Sequence, residues 1–222
     1  PAGFEVEVAA GIAELTGDPY VSAPNKFAAQ ATLDRVVRAH SALKATAVTL
    51  FKIANDMRWL GSGPRAGLME INFPANEPGS SIMPGKVNPS QAESMLMICI
   101  EVMASDVAVQ LGGAEGNFEL NVFRPLLINN YLHSALVLGN GSDRFREFMI
   151  EGAELNTAQI ATDLGRSLML VTALAPILGY DKAAAIAHRA TRDDLPLRDA
   201  ALAEGVDPEL FDRIVIPTDM TH

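Results

Sequence analysis

Between Asn76 and Gln91 the chain reads NEPGSSIMPGKVNPSQ, and the nine positions from Ser80 to Asn88 hold two adjacent hydroxyls (Ser80, Ser81), an ammonium (Lys86) and an amide (Asn88). Such a set suits a small carboxylated molecule, because cations and N–H or O–H donors are the natural partners of carboxylate oxygens. Gly79 and Gly85 permit a tight path or a close approach that a Cβ would obstruct. Pro78, Pro84 and Pro89 stiffen the turns and remove N–H donors. Asn88, Pro89 and Gln91 read as a helix start, with Asn88 as cap, Pro89 in the first helical position and Gln91 reaching back to the cap. The loop then ends on the positive pole of a helix, which favours a bound anion. The bland alternative is a proline-rich connector with Lys86 merely solvated. A connector has no need of paired serines between two glycines just ahead of a capped helix.

The elements that must position this loop read as helices throughout. From Asn25 to Arg58 there is no glycine or proline, and apolar residues from Phe27 to Met57 recur at helical spacing. That stretch predicts one helix roughly 50 Å long, at home in a bundle. Residues 89–111 are apolar around nearly the whole helical circumference. Such a helix must be enclosed on all sides, by subunit association or as the central helix of a monomeric bundle. Gly112-Gly113 is expected to end it. A further helix is expected over Val122–Leu138, with Pro125 marking a start or a kink and Gly139–Ser142 a turn. Shorter helices follow over Thr157–Leu164, Ser167–Leu178, Asp181–Arg192, Leu197–Ala203 and Pro208–Ile214, with Asp181 and Asp207 as candidate caps. No run alternates well enough to claim a sheet. The expected fold is all-α, with a central helical-bundle domain over 1–152 that carries the loop at 76–91, and a small helical C-terminal domain over 153–222.

Composition excludes several classes. Twenty-seven acidic against 17 basic side chains give a formal charge of −10, which argues against a nucleic acid or an anionic membrane as the main partner. The apolar run Ser167–Leu178 is shorter than the ~20 residues a bilayer span needs. Cys99 is the only cysteine, so neither a disulfide framework nor a CxxC metal site can form within one chain, and its apolar setting marks it as an inert core residue. No dinucleotide or phosphate glycine loop, HExxH pair or GxSxG elbow is present. His40, His133, His188 and His222 are scattered, and each is read as a surface residue or a satisfied core residue. The chain opens on Pro1 in what reads as helix (Phe4–Leu15), and is expected to be the C-terminal part of a longer protein.

The run Gly79-Ser80-Ser81-Ile82-Met83-Pro84-Gly85-Lys86-Val87-Asn88-Pro89 resembles the GSSxMPxKxNP motif of the fumarase/aspartase superfamily. Gly85, Ser90-Gln91 with Glu93, Ala23–Phe27, Ile53–Asp56 and Gly116–Pro125 narrow the resemblance to the class II, iron-independent fumarate hydratases, from about Thr16 to the C-terminus. The resemblance implies a long-helix bundle and reversible hydration of fumarate to (S)-malate, a tricarboxylic acid cycle reaction. It implies a cytoplasmic homotetramer with sites shared between subunits and no metal or organic cofactor. It implies Ser80 as the base on a mobile loop. Ser81, Lys86, Val87 (by its backbone) and Asn88 then grip a substrate carboxylate, and Glu93 pairs with a catalytic histidine from another subunit. For Glu93, simple stabilisation of the helix dipole is the competing reading. The family's histidine motif and its Thr-Gly-Thr substrate motif are not found in the 222 residues, so this segment alone is expected to be inactive. The iron–sulfur class of the same activity needs several thiolates. An aspartate ammonia-lyase would share Ser80, Lys86 and Asn88, and a silent helical oligomerisation segment would need none of them.

Overall fold

Helical periodicity is realised almost everywhere in the computed structural model, which describes residues 1–221 and so leaves His222 outside the described residues. The order is α1 (Phe4–Thr16), α2 (Lys26–Ala31), α3 (Asp34–Leu60), β1 (Ile71–Asn72), α4 (Ser90–Ala114) and α5 (Arg124–Phe145) with a π-helical turn over Arg146–Ile150. Then come β2 (Glu154–Leu155), α6 (Thr157–Arg166), a 3-10 turn (Leu168–Ala173), α7 (Ala175–Leu178), α8 (Tyr180–Arg192), α9 (Leu197–Ala203), α10 (Pro208–Ile214) and a last 3-10 turn (Pro217–Met220). The chain packs as two units, Pro1–Trp59 with Phe73–Ala153, and Leu60–Asn72 with Glu154–His222.

In the first unit α4 lies along α5, and the core is built from Ala47 and Ala54 of α3, Met95, Cys99 and Val102 of α4, and Leu138 and Phe145 of α5. The second unit has its own core of Leu174, Ile186, Leu197, Ala201 and Phe211. Its only sheet among the described residues is the pair β1–β2, antiparallel, with Ile71 opposite Leu155. Asp207 caps α10 as expected, its carboxylate accepting from the Leu210 N–H at 3.0 Å.

Five expectations about the helices are corrected. The long helix over Asn25–Arg58 is broken at Thr32, which is extended (φ −116°, ψ 150°). The last carbonyls of α2 are captured from outside, Ala29 O and Gln30 O by the Arg124 guanidinium and Gln30 O also by the Asn121 N–H, while Leu33 turns inward to pack with Val109 and Leu127. Gly112-Gly113 does not end α4. A Cβ at Gly112 would lie 2.6 Å from Leu127 and one at Gly113 2.5 Å from Val37, so both glycines serve close helix packing within α4. Likewise α5 passes through Gly139–Ser142, and a Cβ at Gly141 would stand 2.5 Å from Ile98. Ser167–Leu178 is two short pieces, because Pro176 has no N–H to offer the Thr172 carbonyl. Asp181 is no cap either: Gly179, at φ 83°, holds the position before α8.

By length and composition α4, rather than the shorter apolar run Ser167–Leu178, is apolar enough to cross a membrane. Its partners identify it as a core helix: it packs on α5 and carries the buried, ion-paired Asp106. Cys99, on the same helix, is fully buried, and burial pushes its thiol up. It is expected to react with a thiol-specific reagent only after denaturation, as followed by absorbance of the released chromophore.

Candidate active site

Residues 76–89 form a largely exposed loop, with Gly79, Ser80, Asn88 and Pro89 half-buried, that closes on itself through its own backbone. The Gly79 N–H donates to the Lys86 carbonyl at 2.8 Å, and the Asn88 side-chain amide donates to the Gly79 carbonyl at 2.6 Å. A Cβ at Gly79 would sit 2.3 Å from the Lys86 oxygen, so the closure requires glycine there. Gly85 supplies the left-handed step at φ 78°, a conformation that costs other residues energy. Each glycine thus has one of the two uses its residue type allows.

Inside this ring the Ser80 hydroxyl oxygen accepts two backbone N–H groups, from Ile82 and from Met83, each at 3.1 Å. Donors aimed at an oxygen favour its negatively charged form. The same bonds also stiffen the turn, as serine hydroxyls commonly do. Ser81, Lys86 and Val87 are exposed, with Asn88 half-buried behind them. The ring therefore presents a hydroxyl, an ammonium and a peptide N–H on one short loop.

Two parts of the expected arrangement are not realised. Asn88 is not the cap of α4: its amide is diverted to Gly79, and Pro89 stands in the cap position without an acceptor side chain. The first N–H groups of α4 consequently have no capping side chain, and an uncapped helix start favours an anion. Gln91 does not reach back; it lines an open groove of about 330 Å³ with Ser94, Ile98, Leu136, Asn140 and Arg144. Glu93 is exposed one turn into α4, with no side-chain hydrogen bond or ion pair among the described residues.

A buried polar cluster elsewhere in the first unit was only partly legible. His40 of α3 is a satisfied core histidine, its Nδ1 3.0 Å from Asp106 of α4 and its Nε2 2.9 Å from the Ser134 hydroxyl of α5. Lys44 and Gln110 complete the shell of Asp106. The order serine, histidine, aspartate matches that of nucleophilic hydrolases. Here His40 and Ser134 are 0% exposed and Asp106 1%, so no substrate reaches the hydroxyl and the cluster is structural. The signal in the sequence was Asp106 itself, a carboxylate in the apolar stretch of a mostly apolar helix, which must find partners once buried. His133 and His188 are exposed.

Two family models match this chain, one described as lyase over residues 1–104 and one as fumarase C C-terminus over 170–222. The chain is 56% identical over 222 residues to the class II fumarate hydratase of Myxococcus xanthus, covering 100% of this chain and 48% of that protein. It is 56% identical over 221 residues to the class II fumarate hydratase of Methanosarcina acetivorans, covering 99% and 46%. The chain belongs to the class II fumarate hydratase family.

Its fold agrees. The crystal structure of a class II fumarase from Schistosoma mansoni superposes with a TM-score of 0.91 at 36% identity, over 99% of this chain and 49% of that one. The all-α helical-bundle fold is thus the one this fumarase-family sequence was expected to take. The chain spans about half the length of the curated relatives it matches.

Proposed function

We propose that the protein carrying this chain interconverts (S)-malate and fumarate as a cytoplasmic homotetramer, with Ser80 as the base. The observation that supports this most directly is the pair of N–H groups from Ile82 and Met83 on the Ser80 oxygen. A serine hydroxyl is a poor base in water. Two fixed donors, the neighbouring Lys86 ammonium and the uncapped start of α4 all favour the alkoxide.

In the dehydration direction Ser80 takes the C3 proton of malate. The electron pair left behind moves into the adjacent carboxylate, giving an aci-carboxylate with a second negative charge, which collapses to fumarate as the hydroxyl leaves C2. Lys86, Asn88, Ser81 and the Val87 N–H grip that carboxylate, so donors set in place beforehand meet the charge as it develops. Asn88 must then exchange the Gly79 carbonyl for substrate. Glu93, exposed and unpaired among the described residues, is free to meet a histidine brought by another subunit. The chemistry we assign needs neither a metal nor an organic cofactor.

In this reading residues 1–152 belong to the central bundle of the tetramer and 153–222 form a small C-terminal domain. The exposed apolar strip of α4 (Met97, Ile100, Val107, Leu111), beside that of α5 (Ile128, Leu132, Leu136), supports burial of the bundle between subunits.

The reading is tested by following fumarate absorbance when malate or aspartate is added to the protein. Turnover of malate and none of aspartate is the expected result; ammonia release from aspartate shifts the assignment to a sister lyase, and no turnover of either ends it. Gly79→Ala is expected to lower kcat at least about tenfold without altering the far-ultraviolet circular dichroism, because the ring around Ser80 opens by roughly an ångström. An unchanged kcat contradicts the role given to the ring.

A further inference from the structure

The loop that carries Ser80 is held at its stem by an irregularity at the end of α5. Where α5 ends, Arg146–Ile150 winds as a π-helical turn, its closing bond running from the Glu151 N–H to the Arg146 carbonyl at 2.9 Å. A π-helical turn shifts carbonyl partners by one residue and often occurs at functional sites. Phe145 and Met149, 6% and 2% exposed, lock this turn into the core. The Arg144 guanidinium lies over the Phe148 ring at 5.6 Å. The carbonyl of Phe148 accepts a hydrogen bond from the side-chain amide of Asn76, the first residue of the loop.

Three successive fixings hold the stem: Phe73 packs against the core, Pro74 lies against Gly152, where a Cβ would come within 3.2 Å of it, and Asn76 hangs on Phe148. From Gly79 onward the loop is the closed ring described above. On the N-terminal side only Glu77 and Pro78, both exposed, join the two bodies, while on the other side the ring runs through Pro89 into α4. The last fixed point before the N-terminal link therefore limits, together with the start of α4, where the ring can sit.

We propose that Asn76 is a positioning residue, whose clasp on the π-helical turn fixes where the ring presents Ser80. The proposal rests on the reading of Ser80 as the base. An aspartate at 76 sets acceptor against acceptor and an alanine offers nothing, whereas a glutamine keeps the amide on a longer arm.

Asn76→Asp, Asn76→Ala and Asn76→Gln are compared in the protein carrying this chain by kinetics on malate, thermal melting and the rate of tryptic cleavage after Lys86. The first two variants are expected to lose about 10- to 100-fold in kcat. Their KM is expected to stay within about twofold. Their melting is expected to be unchanged and Lys86 to be cut several-fold faster, with Asn76→Gln recovering part of both effects. Wild-type kcat and cleavage rate in both Asn76→Asp and Asn76→Ala overturn the proposal. So does a loss of kcat that tracks lowered melting with cleavage unchanged, which marks Asn76 as structural only. If the unsubstituted protein turns over no malate, the reading of Ser80 falls, and the cleavage rates alone decide the clasp.

Discussion

Ser80→Ala is expected to lower kcat for malate by about 10²- to 10⁴-fold, the span that a positioned general base contributes. The reacting proton sits on carbon and is weakly acidic, so nothing nearby takes over once the oxygen is gone. KM is expected to change far less, because Lys86, Asn88 and the helix start still hold the carboxylates. The substitution also strips the Ile82 and Met83 N–H groups of their acceptor, which loosens the turn. Exposed loop N–H groups find water, so the melting temperature is expected to hold. Ser81→Ala, which leaves the ring intact, is the control, with its loss expected mainly in KM. A Ser80→Ala protein with full turnover removes Ser80 from the mechanism.

Asp106→Ala is expected to destabilise the first unit by about 3–5 kcal/mol, the cost of breaking a buried charge pair by deleting one partner. His40 loses its Nδ1 partner in a site with no exposure, and Lys44 and Gln110 lose theirs. A loss of that size is a large share of the roughly 5–15 kcal/mol that holds a domain folded. It should be plain in the urea midpoint, and a shift below about 1 kcal/mol contradicts the role given to the cluster.

The same carboxylate ties stability to pH. Burial alone raises the Asp106 carboxyl, but hydrogen bonds from Lys44, His40 and Gln110 outweigh that and hold it below the usual carboxylate range. A depressed folded value means the contribution is present above the unfolded value of about 4 and is lost as pH falls through the folded one. Urea midpoints between about pH 6 and pH 3 should show a wild-type decline that is shallower in Asp106→Asn. Equal slopes contradict the assignment.

How much of this was legible in the sequence differs between loop and bundle. The loop was legible as a closed turn because its signals are local: Gly79, Ser80, Gly85 and Lys86 lie within a few residues of one another. The wrong details were those in which a side chain chose a partner farther off. Asn88 had a helix start beside it and took the Gly79 carbonyl nine residues back. The break at Thr32 was invisible because the donors that end α2, Arg124 and the Asn121 N–H, come from about 90 residues away. Gly112, Gly113 and Gly141 read as stops because glycine is a poor helix former, and closeness to Leu127, Val37 and Ile98 outweighs a propensity cost of about 1 kcal/mol.

By itself the sequence determined the helical class, the loop, the polar side chains gathered on it and the absence of a disulfide within these 222 residues, since each follows from residue type and short-range spacing. Only the tertiary structure decided that the Ser80 oxygen faces two N–H groups, that Asn76 reaches the π-helical turn and that His40, Asp106 and Ser134 meet in a dry core. These meetings depend on how helices far apart in the chain pack, and pattern along a sequence carries no distance between them.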